Sequence, residues 1–163
     1  MTTTLSLRDA LLSSAKEVFE SMVFLALEEV EDLSLCDDAA FLATVTFVGD
    51  IEGCLSVCFD RPCARDIAAG MLCMETPNDL SEEDVVDAIG EIANMVMGAV
   101  KTSLQGQIDN ITISIPSVIL GRQLRSVLGE GAVQTVVHTC IGGTHAATFS
   151  LIYSAPSGSA GGA

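Results

Sequence analysis

Between Ser81 and Leu104 the apolar residues Val85, Ile89, Ile92, Ala93, Val96 and Val100 recur every three or four positions. Only a helix turns that spacing into one continuous apolar face. The pattern predicts a helix over about Glu82 to Leu104. Ser81 suits its N-cap, because the hydroxyl can accept a first-turn amide, and Glu82, Glu83 and Asp84 complement the positive end of the helix dipole.

The segments on either side set what this helix packs with. Leu12, Ala15, Phe19, Met22, Val23, Ala26, Leu27 and Val30 have helical spacing, which predicts a long amphipathic helix from Leu5 to Glu31 with an acidic outer face. Ala40 to Val48 and Cys54 to Phe59 are rich in β-branched and aromatic residues and are separated by Gly49-Asp50 and Gly53, so they read as a hairpin. A short helix from about Cys63 to Met74 follows, with Pro62 near its first turn and Thr76-Pro77-Asn78-Asp79 ending it. Ile111 to Ile115 reads as a strand stopped by Pro116, and Ser117 to Leu128 as an ambiguous connection. Val133 to Ile141 and His145 to Tyr153 form a last hairpin across Gly142-Gly143-Thr144. The expectation is a single α+β domain over residues 1–153, with helices on a mostly antiparallel sheet in the order α-β-β-α-α-β-β-β. The small-residue stretch 154–163 reads as a disordered tail. A doubly wound nucleotide-binding fold would need alternating strands and helices and a Gly-rich first loop, and the chain has neither.

Composition narrows the partners. A formal charge of -15 with seven Lys and Arg in 163 residues argues against nucleic-acid binding, which needs clustered cations. No segment reaches ~18 consecutive apolar residues, and Met-Thr-Thr-Thr-Leu-Ser lacks a basic signal region, so a cytoplasmic protein without membrane contact is expected. The cysteines are Cys36, Cys54, Cys58, Cys63, Cys73 and Cys140, with no pair at the two-residue separation of zinc or redox motifs. Cys54 and Cys58 share one face of a strand, compatible with a disulfide or metal site and equally with two small buried residues. His138 and His145 lie in strand-like segments with no cluster of acids or thiols nearby, so no metal site is expected.

What remains is a polar line on the central helix. Asp87, Glu91, Asn94 and Gly98 fall within roughly 60° of one another around the axis, opposite the apolar face. Any amphipathic surface helix has a solvated side, and that reading stands beside a functional one. Asn94 favours function, because asparagine competes for backbone hydrogen bonds and serves a merely wet face poorly. Gly90 and Gly98 also lie on or beside the line, each costing up to ~1 kcal/mol relative to alanine. They give room either to a partner or to close packing inside the domain. Hydrolase equipment is missing: there is no Gly-x-Ser-x-Gly, Walker-type loop or His-Glu-x-x-His.

The spacing Asp87-x-x-x-Glu91-x-x-Asn94-x-x-x-Gly98 resembles the signature of the CheC, CheX and FliY phosphatases of bacterial chemotaxis. Val18-Phe19-Glu20-Ser21-Met22 and Ile115-Pro116-Ser117-Val118-Ile119-Leu120-Gly121 are similar to CheX segments, so the likeness spans about residues 5 to 153. CheC-type proteins carry two copies of the motif. Here Ser13-x-x-x-Glu17-x-x-Glu20 has the spacing but places glutamate where asparagine is required and Phe24 where glycine would stand. An ionised carboxylate cannot donate a hydrogen bond, so one active ridge is expected and CheX is the nearer likeness.

The resemblance implies dephosphorylation of the phospho-aspartate of a CheY-type response regulator. The regulator would supply the magnesium, and this chain would need no cofactor of its own. Asn94 would orient the attacking water and Glu91 would pair with the regulator's lysine, as the two catalytic residues. Asp87, Gly90 and Gly98 would lie at the partner contact, with simple solvation an equal reading for Asp87. A homodimer is the family-based expectation. Two other readings stay open: a non-catalytic scaffold domain like those of the flagellar switch, and an adaptor binding a small ligand through the sheet around Cys54 and Cys58.

Overall fold

In the computed structural model, which describes residues 6–31, 40–73, 79–121 and 132–154, three helices lie on an antiparallel sheet. Helix α1 (Leu7–Val18) is capped by Ser6, whose hydroxyl accepts the Asp9 N–H at 3.0 Å. It does not run to Glu31. It widens into a π-helical turn over Phe19–Val23 and closes at Phe24, which has φ 63° and donates its N–H to the Phe19 carbonyl at 2.8 Å. Strand β1 (Leu27–Val30) follows and pairs with residues 138–141, far along the chain. The long-helix expectation therefore fails beyond Val23. Leu25-Ala26-Leu27-Glu28-Glu29 consists of good helix formers, and hydrogen bonds to that distant strand override the preference.

The remaining elements follow the expected order. Strands β2 (Ala40–Gly49) and β3 (Glu52–Asp60) form the first hairpin. Helix α2 (Arg61–Met71) begins at once, with Asp60 as N-cap accepting the Cys63 N–H at 2.8 Å. Helix α3 (Glu82–Ser103) is the central helix. Strands β4 (Ile111–Ile113), β5 (Ser117–Gly121), β6 (Val133–Ile141) and β7 (His145–Ser154) complete the sheet. The ambiguous segment after Pro116 is thus a strand as far as Gly121. Its continuation, the Thr76-Pro77-Asn78 stop, Cys36 and the tail from 155 onward lie outside the described residues.

The sheet order is β1-β6-β7-β3-β2-β4, and β5 shares with β4 the outer edge of β2. The two registers on that edge differ. Phe47 faces Ile113 and Thr44 faces Ser117, so four steps on the outer strand run against three on β2. One extra residue is bulged out at Ser114-Ile115-Pro116. Ser114 holds the corner by donating its N–H to the Thr46 carbonyl at 2.9 Å and accepting the Thr46 N–H on its hydroxyl at 3.0 Å. Ile115 is thrown outward and is 87% exposed.

The core lies between the helices and one side of the sheet. From β2, β3 and β7 it takes only odd-numbered residues, among them Phe41, Val45, Phe47, Leu55, Val57, Phe59, Phe149 and Leu151. Ile89, Ile92, Val96 and Val100 of α3 meet them from the other layer. Phe19, Phe59 and Phe149 form an aromatic trio with ring centroids 5.9–6.2 Å apart, which locks the π-helical turn onto the sheet. Gly70 lets α2 approach that turn: a Cβ there would stand 2.4 Å from the Val23 carbonyl oxygen. No helix among the described residues is long and apolar enough to cross a membrane.

Candidate functional site

Helix α3 starts at a full capping box. The Ser81 hydroxyl accepts the Asp84 N–H at 3.1 Å, and the Asp84 carboxylate accepts the Ser81 N–H at 3.3 Å. Its apolar residues are buried from Val85 to Val100, about four turns, which fixes the rotation of the helix. The polar line is consequently turned outward: Asp87 and Glu91 are exposed, and Asn94 and Gly98 are partly so.

Neither Glu91 nor Asn94 has a side-chain hydrogen bond or ion pair among the described residues. Asn94 therefore serves no internal role that would explain an asparagine inside a helix. Its amide presents an acceptor oxygen and two donor N–H groups, while Glu91 one turn earlier offers an acceptor charge. A single small molecule or side chain can be held by both.

The two glycines divide. Gly90 is buried, and a Cβ there would touch Val118 at 3.4 Å and Pro116 at 3.6 Å, so its clearance is used inside the chain by the β4–β5 corner. A Cβ on Gly98 would meet nothing within 4 Å, so the helix surface beside Asn94 is open. The corner packed on Gly90 forms one wall of a shallow groove of about 280 Å³ whose other wall carries Asp87 and Glu91. Ile115 stands at its rim. The sequence pointed to the segment Ile115 to Gly121 only as a likeness. The groove arises from tertiary packing that no local pattern reports.

The second copy of the motif on the first helix is further disabled by the fold. Glu17 lies on α1, Glu20 in the π-helical turn and Phe24 in the left-handed residue that ends it, so the regular helical line is lost.

The expectation that neither histidine has acids or thiols around it fails for His145. Phe59 pairs with Ala147, which brings the end of β3 and the start of α2 beside the first residue of β7. His145 Nε2 lies 2.6 Å from the Asp66 carboxylate, and donor atoms of Asp60, Cys63 and His145 lie within 4.8 Å of one another. Burial, and then the charges of Asp60, Asp66 and Cys140, push the Cys63 thiol far above its ordinary range. Cys58 is raised by burial and by Asp60. Cys54 and Cys58 are free thiols, partly and fully buried, so they form no disulfide.

Comparison with known proteins gives a consistent result. Residues 41–139 match the family model described as chemotaxis phosphatase CheX, a span that contains the whole of α3 and the β4–β5 corner. Among solved structures, the chain is similar to the chemotaxis protein CheX from Vibrio vulnificus, with 24% identity and TM-score 0.76, covering 94% of this chain and 100% of that one. It is similar to the CheX of a CheX–CheY–BeF3–Mg complex from Borrelia burgdorferi, with 18% identity and TM-score 0.70 over 91% and 98% of the two chains. Thermotoga maritima FliY matches at 20% identity and TM-score 0.61, over 93% and 91%. No match is found among curated protein sequences.

Proposed function

Since the chain belongs to the CheX family of chemotaxis phosphatases, we propose that it hydrolyses the phospho-aspartate of a CheY-type response regulator, with Asn94 and Glu91 as its working residues. The observation that carries this reading is the outward pair of unpartnered side chains on a helix whose rotation the core fixes.

An aspartyl phosphate is already a reactive acyl phosphate, and the regulator brings the magnesium that neutralises the charge on the transferring group. What it lacks is a water held in line with the bond to be broken. In this reading Asn94 enters the regulator's site, where its amide oxygen accepts from that water and its NH2 donates to a neighbouring oxygen. The gain comes from orientation alone. Water attacks phosphorus, the bond to the aspartate oxygen breaks, and phosphate leaves with the regulator's carboxylate restored. Glu91 pairs with the regulator's lysine and holds the two proteins in register. No nucleophile or cofactor of this chain takes part, which suits a ridge that has neither. Asp87 adds negative field toward the lysine, and Ile115 gives the rim of the groove an apolar contact. The working form is a cytoplasmic homodimer associated through its sheet.

The test is the decay of a phosphorylated receiver domain from the same organism. Wild-type protein accelerates it. Asn94→Ala, with unchanged helical content, returns the decay to the unassisted rate. If Asn94→Ala accelerates decay as well as wild type, water positioning by Asn94 is wrong; if wild type itself gives no acceleration, the domain is a binding module of the same fold.

A further inference from the structure

We propose that Asp60, Cys63 and His145 form a binding site for one zinc ion, which clasps the start of α2 to the β6–β7 hairpin. The three donors come from chain positions brought together by the β3–β7 register and lie within 4.8 Å of one another. Tetrahedral zinc with bonds of ~2.0–2.3 Å places its donors roughly 3.5 Å apart, a contraction that side-chain torsions supply. Mixed sulfur, nitrogen and oxygen donors suit zinc better than magnesium or calcium, which take oxygen.

Two of the donors have defined hydrogen-bond partners. Asp60 uses one carboxylate oxygen to accept the Cys63 N–H at the head of α2, and the other remains available. His145 Nε2 lies 2.6 Å from the Asp66 carboxylate, so one ring nitrogen can face the ion while the other is held by Asp66. A carboxylate behind a ligating histidine fixes the ring and its tautomer, as outer-shell partners do at metal sites generally. Cys63 is fully buried, while the His145 side chain keeps 17% exposure and the Asp66 side chain 44%, so an ion has an entry path. Zinc binds the thiolate, so the Cys63 proton leaves to solvent when the ion enters. Three protein donors leave the fourth position to water.

The experiment is titration of the full-length, metal-stripped protein with cobalt(II), followed by zinc competition. One equivalent binds with a thiolate-to-cobalt charge-transfer band, and zinc displaces it. Cys63→Ala removes the band, and Cys58→Ala leaves it. His145→Gln and Asp60→Asn each weaken binding at least about tenfold, and Asp66→Asn weakens it about 10-fold to 100-fold while one equivalent still binds. Circular dichroism identifies variants that have lost the fold. Absence of a cobalt band in wild type, or a band that survives Cys63→Ala, overturns the site. Unchanged affinity in both His145→Gln and Asp66→Asn overturns it equally.

Discussion

At the scale of single residues, Glu91 and Asn94 sit one turn apart on the same outward side of α3, Glu91 the more exposed, and the proposed mechanism gives them tasks that kinetics separate. Asn94→Ala is expected to abolish acceleration at every concentration of phosphatase, because the water is no longer held. Glu91→Ala is expected to keep most of the rate at saturation. A lost charge-assisted contact of ~1.5–3 kcal/mol raises the half-saturating regulator concentration roughly 10-fold to 100-fold. Ile115→Ser tests the groove rim. The residue is 87% exposed, so unfolding free energy stays within about 0.5 kcal/mol of wild type, and any rise in half-saturation reports docking alone. The ridge was legible in the sequence because helical period alone sets which side of α3 each residue takes. Ile115 beside Glu91, and His145 beside Asp66, were not: those neighbours come from strand registers between segments distant in the chain.

At the scale of elements, the fold rests on closures that can be loosened one at a time. Ser81→Ala removes half of the capping box of α3, and a loss of about 1 kcal/mol is expected in urea unfolding, with phosphatase kinetics unchanged at temperatures where the domain stays folded. Gly70→Ala forces a methyl toward the Val23 carbonyl, 2.4 Å from where Cβ would sit. α2 and the π-helical turn must part, and a loss of roughly 1–3 kcal/mol is expected. The elements with strong local signals, α3 and the two hairpins, could be placed from sequence because period, caps and turn residues agree. β1 and β5 could not. Leu27–Val30 carries two adjacent glutamates among helix formers and becomes a strand only through β6, and Ser117–Gly121 becomes one only because β2 has a free edge.

At the scale of the whole molecule, a charge of -15 should act on the approach of a regulator whose active site presents a lysine. Raising salt from about 0.01 M to about 0.15 M shortens the screening length from roughly 30 Å to roughly 8 Å, and half-saturation should rise while the saturated rate holds. A second whole-chain property follows from counting along the outer strand. Ile113 and Val118 have opposite parity, yet both face the helices, opposite Phe47 and Ala43. The surplus residue at the corner resets the alternation between them. Removing Ile115 would leave three steps against three, so the outer strand keeps ordinary alternation with Val118 still opposite Ala43 and facing α3. What the surplus residue supplies is therefore the outward-thrown Ile115 at the groove, and its loss would strip that rim while leaving the inward side of β5 as it is.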